Sequence, residues 1–133
     1  MDGVSGIVTA SSLQTGSGSI SVGAITCSSI SCTGEISGTS FNATSDKRLK
    51  ENIVKYSPNK SILDLPIYSY NFISDEKKTK KIGCLAQDLK EICPEIVKED
   101  DKGYLSIEES KIVYLLLDEI KKLKKRVDEL EAR

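Results

Sequence analysis

"EESKIVYLLLDEIKKLKKRVDELEAR", residues 108–133, decides how the rest of the chain has to be read. Val113, Leu116, Ile120, Leu123, Val127 and Leu130 follow one another at intervals of 3, 4, 3, 4 and 3. That is the a/d seam of a coiled coil on one long helix, about residues 108–133. With Val113 at a, Glu119 and Arg126 fall at g, and Lys124 and Glu131 at e. In a parallel bundle Glu119 faces Lys124 of a neighbouring copy and Arg126 faces Glu131, and both pairs attract. The seam stays narrow to its end, which favours self-association over a helix packed only on its own domain. Val or Ile at a with Leu at d leans toward dimers, whereas Leu117 at an e position widens the seam and suits a trimer.

Upstream of this helix the pattern is that of a small α+β unit beginning at Ser45. "DKRLKENIVKY" carries Leu49 and Ile53 four apart and predicts a short helix stopped by Ser57-Pro58. Ile62, Leu63 and Leu65 form an apolar turn ended by Pro66. "IYSYNFI" alternates Tyr68, Tyr70 and Phe72 against Ser69 and Asn71, and pairs with "KIGCLA" across the polar turn "SDEKKTKK" as a hairpin over 67–86. "AQDLKEIC" predicts a helix closed by Pro94, and "EIVKEDDKGYLSI" a second strand pair around Lys102-Gly103.

Before Ser45 the chain changes character. Ser, Thr and Gly dominate residues 3–44, and the apolar residues Ile20, Ile25, Ile30, Ile36 and Phe41 recur every five or six positions. Such a repeat predicts short strands separated by Gly turns. One copy cannot offset a backbone entropy cost of roughly 1–2 kcal/mol per residue, but several copies wound together can. The expected architecture is therefore an intertwined, triple β-helix-like stem over residues 1–44. A small α+β domain over residues 45–133 follows, in a homotrimer.

Charge divides at the same border. Residues 45–133 hold all 19 Lys and Arg and 18 of the 20 acids, a net of +1. That balance gives no reason to expect nucleic acid as a partner. No apolar run is long enough to span a bilayer, and the N-terminus lacks a basic-then-apolar leader pattern. Met1 stands directly before Asp2-Gly3, as a start codon placed on a fragment would. Cys27, Cys32, Cys84 and Cys93 match no zinc spacing and the chain has no histidine. Buried or half-buried free thiols are expected, with no metal and no cofactor.

The border itself carries possible chemistry. A serine hydroxyl needs a base, and without histidine the available base is a lysine kept neutral by desolvation or nearby positive charge. Ser45 and Lys50 supply the two groups, with Lys47 and Arg48 alongside. Ser45 at a strand-like end and Lys50 in a first helical turn would let the long side chain fold back. On spacing alone this is weak evidence.

"SDKRLKENI" at 45–53, "LPIYSYNF" at 65–72, "IGCLAQDLKEICPEIV" at 82–97 and "YLSIEESKIVYLLLDEIKKL" at 104–123 occur in that order. Together they resemble the C-terminal intramolecular chaperone domain of phage endosialidases, other tailspikes and neck appendages, a domain related to one in the myelin regulatory factor family. The resemblance covers residues 45–133. It implies a trimer that guides folding of its own upstream β-helical stem and then releases itself by Ser-Lys autoproteolysis. Ser45 matches the nucleophile, Lys50 the general base, and Asp46 the residue between them. Gly83, Ala86 and Gln87 match a Gly-x-x-Ala-Gln motif, with Asp88 following.

Attack by Ser45 on the Thr44 carbonyl passes through a five-membered ring and favours scission of Thr44–Ser45. Ser45–Asp46 is the alternative if catalysis crosses between chains. Backbone N–H groups of the first turn, or Gln87, would stabilise the oxyanion, although Gln87 equally suits a structural hydrogen bond. The expected setting is a viral particle assembled in the host cytoplasm, with the released chaperone fragment soluble. The rivals are a trimerisation module that is never cut, a Ser-Lys hydrolase acting on other proteins, and a membrane-tethered factor. No substrate cleft, membrane span or DNA-binding segment is evident for the last two.

Overall fold

The computed structural model describes residues 16–133, so the part of the expected stem before Gly16 lies outside the described residues. The chain divides into two units, Met1–Ser45 and Asp46–Arg133.

In the first unit, residues 16–45 form no strand and all are exposed. Ile25, Ile30 and Phe41 are among the exposed apolar side chains. The predicted strands do not form in a single chain, and the reason is the one that made several copies necessary. A backbone with one apolar residue in five or six has nothing of its own to bury that side chain against.

The second unit is α+β. Two antiparallel hairpins, β1 (Tyr68–Tyr70) with β2 (Lys81–Gly83) and β3 (Val97–Glu99) with β4 (Leu105–Ile107), flank helix α1 (Ala86–Ile92). Helix α2 (Ile112–Glu131) closes the unit, entered through a 3-10 turn at Glu109–Lys111. Tyr68 faces Gly83 and Tyr70 faces Lys81 in the first hairpin. Gly83 packs closely: a Cβ there would stand 3.2 Å from the Tyr70 hydroxyl, which would have to give by a few tenths of an ångström. In the second hairpin Asp100 Oδ1 accepts from the amides of Lys102 and Tyr104, both at 2.9 Å, and Gly103 takes φ +85°, where only glycine is unstrained.

The core is small. Ile62, Leu89, Ile92, Cys93 and Leu115 are buried, with Leu65, Ile96, Val97, Ile107 and Ile112 packed around them. Ile62 arrives on a 3-10 turn, Ile62–Asp64, capped by the Ser61 hydroxyl accepting from the Leu63 amide at 3.1 Å. Leu89 sits at the centre with no exposed surface. Leu89→Ala is therefore expected to cost about 2–5 kcal/mol, because few neighbours can close the cavity. A lowered denaturant midpoint at fixed chain concentration checks it.

Helix α2 uses two adjacent faces. Ile112 and Leu115 pack on the core, whereas the a/d side chains point to solvent, with Ile120 62% and Leu123 64% exposed. A shallow apolar groove runs along that seam, lined by Leu63, Leu116, Ile120 and Leu123 with Glu119 and Lys122.

One predicted element is absent. The helix expected over "DKRLKENIVKY" is reduced to a single 3-10 turn, Lys47–Leu49, after which Lys50 is extended. Asn52 then takes φ +53°. Leu49 and Ile53 are both exposed. One apolar pair with nothing to bury against does not offset the cost of helix nucleation.

Candidate active site

Ser45 is the last residue of the first unit, and Asp46 opens the second. Lys50 follows as the residue that closes the first turn, not within a first helical turn as expected. Thr44, Ser45, Asp46 and Lys50 are all exposed in the single chain. A lysine acts as a base where desolvation or nearby positive charge keeps its amine neutral, and the single chain does not bury Lys50.

Asp46 caps the turn. Its Oδ1 accepts the Arg48 amide at 2.8 Å and Arg48 Nε at 3.1 Å, while Oδ2 accepts Nη2 at 3.0 Å. The Arg48 side-chain hydrogen bonds, then its amide, hold the Asp46 carboxyl below the usual carboxylate range. Arg48 was expected to supply bare positive charge beside the dyad. Its guanidinium is matched by Asp46, so Asp46 orders the turn and Lys47 is the neighbouring cation outside that pair.

The oxyanion expectation is narrowed by the same turn. The Arg48 amide is bound to Asp46 Oδ1, the Leu49 amide to Asp46 O at 3.1 Å and the Lys50 amide to Lys47 O at 3.1 Å. Those three donors are spent in holding the turn. Gln87 is exposed in the first turn of α1, which leaves it open to a group brought by another copy. Asp88, the next residue of the motif, has a buried oxygen, Oδ2, without a hydrogen-bond donor. It lies near Cys84. Burial first, then the charges of Glu109 and Asp88, push the Cys84 thiol up, which keeps it protonated and a poor nucleophile. Cys93 is buried as expected of a structural thiol, whereas Cys27 and Cys32 are exposed.

Pattern reading gave no sign of a cluster downstream of Lys50. The Tyr56 hydroxyl donates to Glu95 Oε2 at 3.1 Å and lies 3.3 Å from Cys93 Sγ, which itself donates to the same Glu95 oxygen at 3.3 Å. Hydrogen bonding to Cys93, burial and the bond to Glu95 together push the Tyr56 phenol well above its ordinary range. The next residue, Ser57, donates its hydroxyl to Asp118 Oδ2 on α2 at 3.1 Å. These partners lie 37 to 61 residues away, and no local spacing signals them.

Among known protein families, one described as chaperone of endosialidase (Peptidase_S74) matches residues 45–98. No curated protein and no solved structure matches the chain. The matched segment begins at Ser45 itself and takes in Lys50, the first hairpin and α1. Residues 45–98, which hold three of the four motifs described above, are thus similar to the chaperone-of-endosialidase family.

Proposed function

We propose that residues 45–133 form a trimerising intramolecular chaperone. It gathers three upstream segments into an intertwined β-stem of a viral fibre or tailspike, then detaches by self-cleavage at Ser45. Ser45 is the nucleophile and Lys50 the general base. The observation that carries the reading is coincidence at one residue. The family match begins at Ser45, the two units divide after it, and all of the chain's Lys and Arg lie beyond it.

The exposed seam of α2 supports self-association. Three such helices would cover Val113, Leu116, Ile120, Leu123, Val127 and Leu130, which a single copy leaves in water. The flanking charges set direction more than strength. Lys124 already pairs with Asp128 at 2.7 Å and Arg126 with Glu129 at 3.7 Å within the helix. Interhelical pairs would exchange these partners, and exposed pairs contribute only about 0–1 kcal/mol.

A template that is removed after use suits such a stem. Pairing distant chain ends is slow, and tethering three chains raises their local concentration. Once formed, the stem persists because it unfolds slowly. The test is the mass of the expressed chain. Fragments of 44 and 89 residues are expected from the 133-residue chain if Thr44–Ser45 breaks, or of 45 and 88 if Ser45–Asp46 does. A trimeric, folded chain that stays whole favours the non-cleaving trimerisation module instead.

A further inference from the structure

We propose that Tyr56, Ser57 and Pro58 form a clamp that positions the arm carrying Lys50, with Tyr56 and Ser57 as positioning residues for the self-cleavage reaction. The inference rests on the autoproteolytic reading above and adds residues to it that lie outside the dyad motif.

The arm is fixed at both ends. Upstream, the turn at Lys47–Leu49 is tied by Asp46 and Arg48 and ends at Lys50. From Lys50 to Tyr56 the chain has no regular element and every residue is exposed, so packing does little to hold it. Downstream, Tyr56 and Ser57 grip two different parts of the unit, and the next residue is buried. Tyr56 reaches Cys93 and Glu95 just past α1. Cys93 is only 1% exposed, so this contact point is part of the core. Ser57 reaches Asp118 on α2, whose Oδ2 also takes the Lys122 ammonium at 2.8 Å. Pro58 is buried, and a proline confines the residue before it to extended backbone, so Ser57 is presented with little conformational freedom to lose.

The consequence is geometric. A seven-residue arm without a regular element can sample many backbone placements, and each lost alignment at a reacting centre costs rate steeply. Pinning Tyr56 and Ser57 narrows that spread. One jaw of the clamp is α2, and Lys122, bound to the same Asp118 oxygen, lines the groove beside Leu116 and Ile120. The arm is therefore tied to the helix through which copies would assemble.

The test uses the full chain refolded from denaturant, with the first-order rate of fragment appearance measured per assembled particle. Tyr56→Phe and Ser57→Ala are each expected to slow cleavage about tenfold while sedimentation and melting stay close to the parent's. Ser57→Thr, which keeps the hydroxyl, is expected to restore the rate. In parallel, both substitutions placed in the uncleavable Ser45→Ala chain are expected to lower the backbone NMR order parameters across residues 50–56, with α1 and α2 unchanged. A parent that cuts, with both variants within twofold of it, overturns the clamp. So does a loss that Ser57→Thr does not restore, or unchanged order parameters over 50–56. A parent that never cuts overturns the autoproteolytic reading, and the order parameters still decide whether the arm is clamped.

Discussion

Ser45→Ala should leave the chain at its full 133 residues under conditions that split the parent, a loss of at least about a thousandfold in rate. The size follows from the reaction. In the proposed reaction the Ser45 hydroxyl would add to the Thr44 carbonyl, the Ser45 nitrogen would leave, and an ester would join the two residues until water breaks it. Without the hydroxyl no ester forms, and the peptide bond has only direct hydrolysis left. Lys50→Ala would remove the proposed general base, and general-base removal costs about 10²–10⁴ in rate. Lys50→Arg separates base from charge. A guanidinium keeps the positive charge but does not lose its proton, so the arginine variant should be as slow as the alanine variant. Mass spectrometry reads all three and also names the bond, since the C-terminal fragment begins at Ser45 or at Asp46. Mixing Ser45→Ala with Lys50→Ala chains tests where the groups meet. Fragments from the mixed particles require the serine of one copy to use the lysine of another.

How much of this was legible before the structure depends on the range of the interaction. The first hairpin could be read from Tyr68 and Tyr70 alternating with Ser69, and the second from the Lys102-Gly103 turn. Both are local signals. Helix α1 could be read from its apolar spacing and Pro94, and α2 from its heptads. The short helix after Ser45 was misread because Leu49 and Ile53 have the right spacing but nothing to pack against. Periodicity reports a face, not whether anything covers it. The strands expected of residues 3–44 required several copies wound together, and a single chain, which forms none over residues 16–45, does not test them. In α2 the seam was evident, but Leu115, which anchors the helix to the core, lies off the seam at a c position. The dyad's residues came from the motif, whereas Tyr56 and Ser57 depend on partners dozens of residues away. No window of sequence contains both ends of those bonds.

The second large effect concerns assembly. Replacing Ile120 and Leu123 together by Asp should prevent the proposed trimer in sedimentation and the proposed cleavage, a change of at least about a hundredfold in each. In the single chain these two side chains are 62% and 64% exposed, so charge is tolerated there and the folded unit should survive by circular dichroism. In an assembled seam the same carboxylates would face their own copies in a buried layer. Unpaired buried charge costs several kcal/mol per group, and the seam would hold two groups from each helix. Lys125→Glu, at an outward f position of the same helix, is the control and should assemble and cut as the parent does. The pairing matters because the dyad is exposed in one copy. If the seam variant stays monomeric and still cuts at the parental rate, the exclusion of water from Lys50 does not depend on neighbouring copies. Assembly and cleavage would then be separate properties of the unit. If it is monomeric and whole, release is conditional on the three chains having come together, which a template must satisfy before it lets go of what it has built.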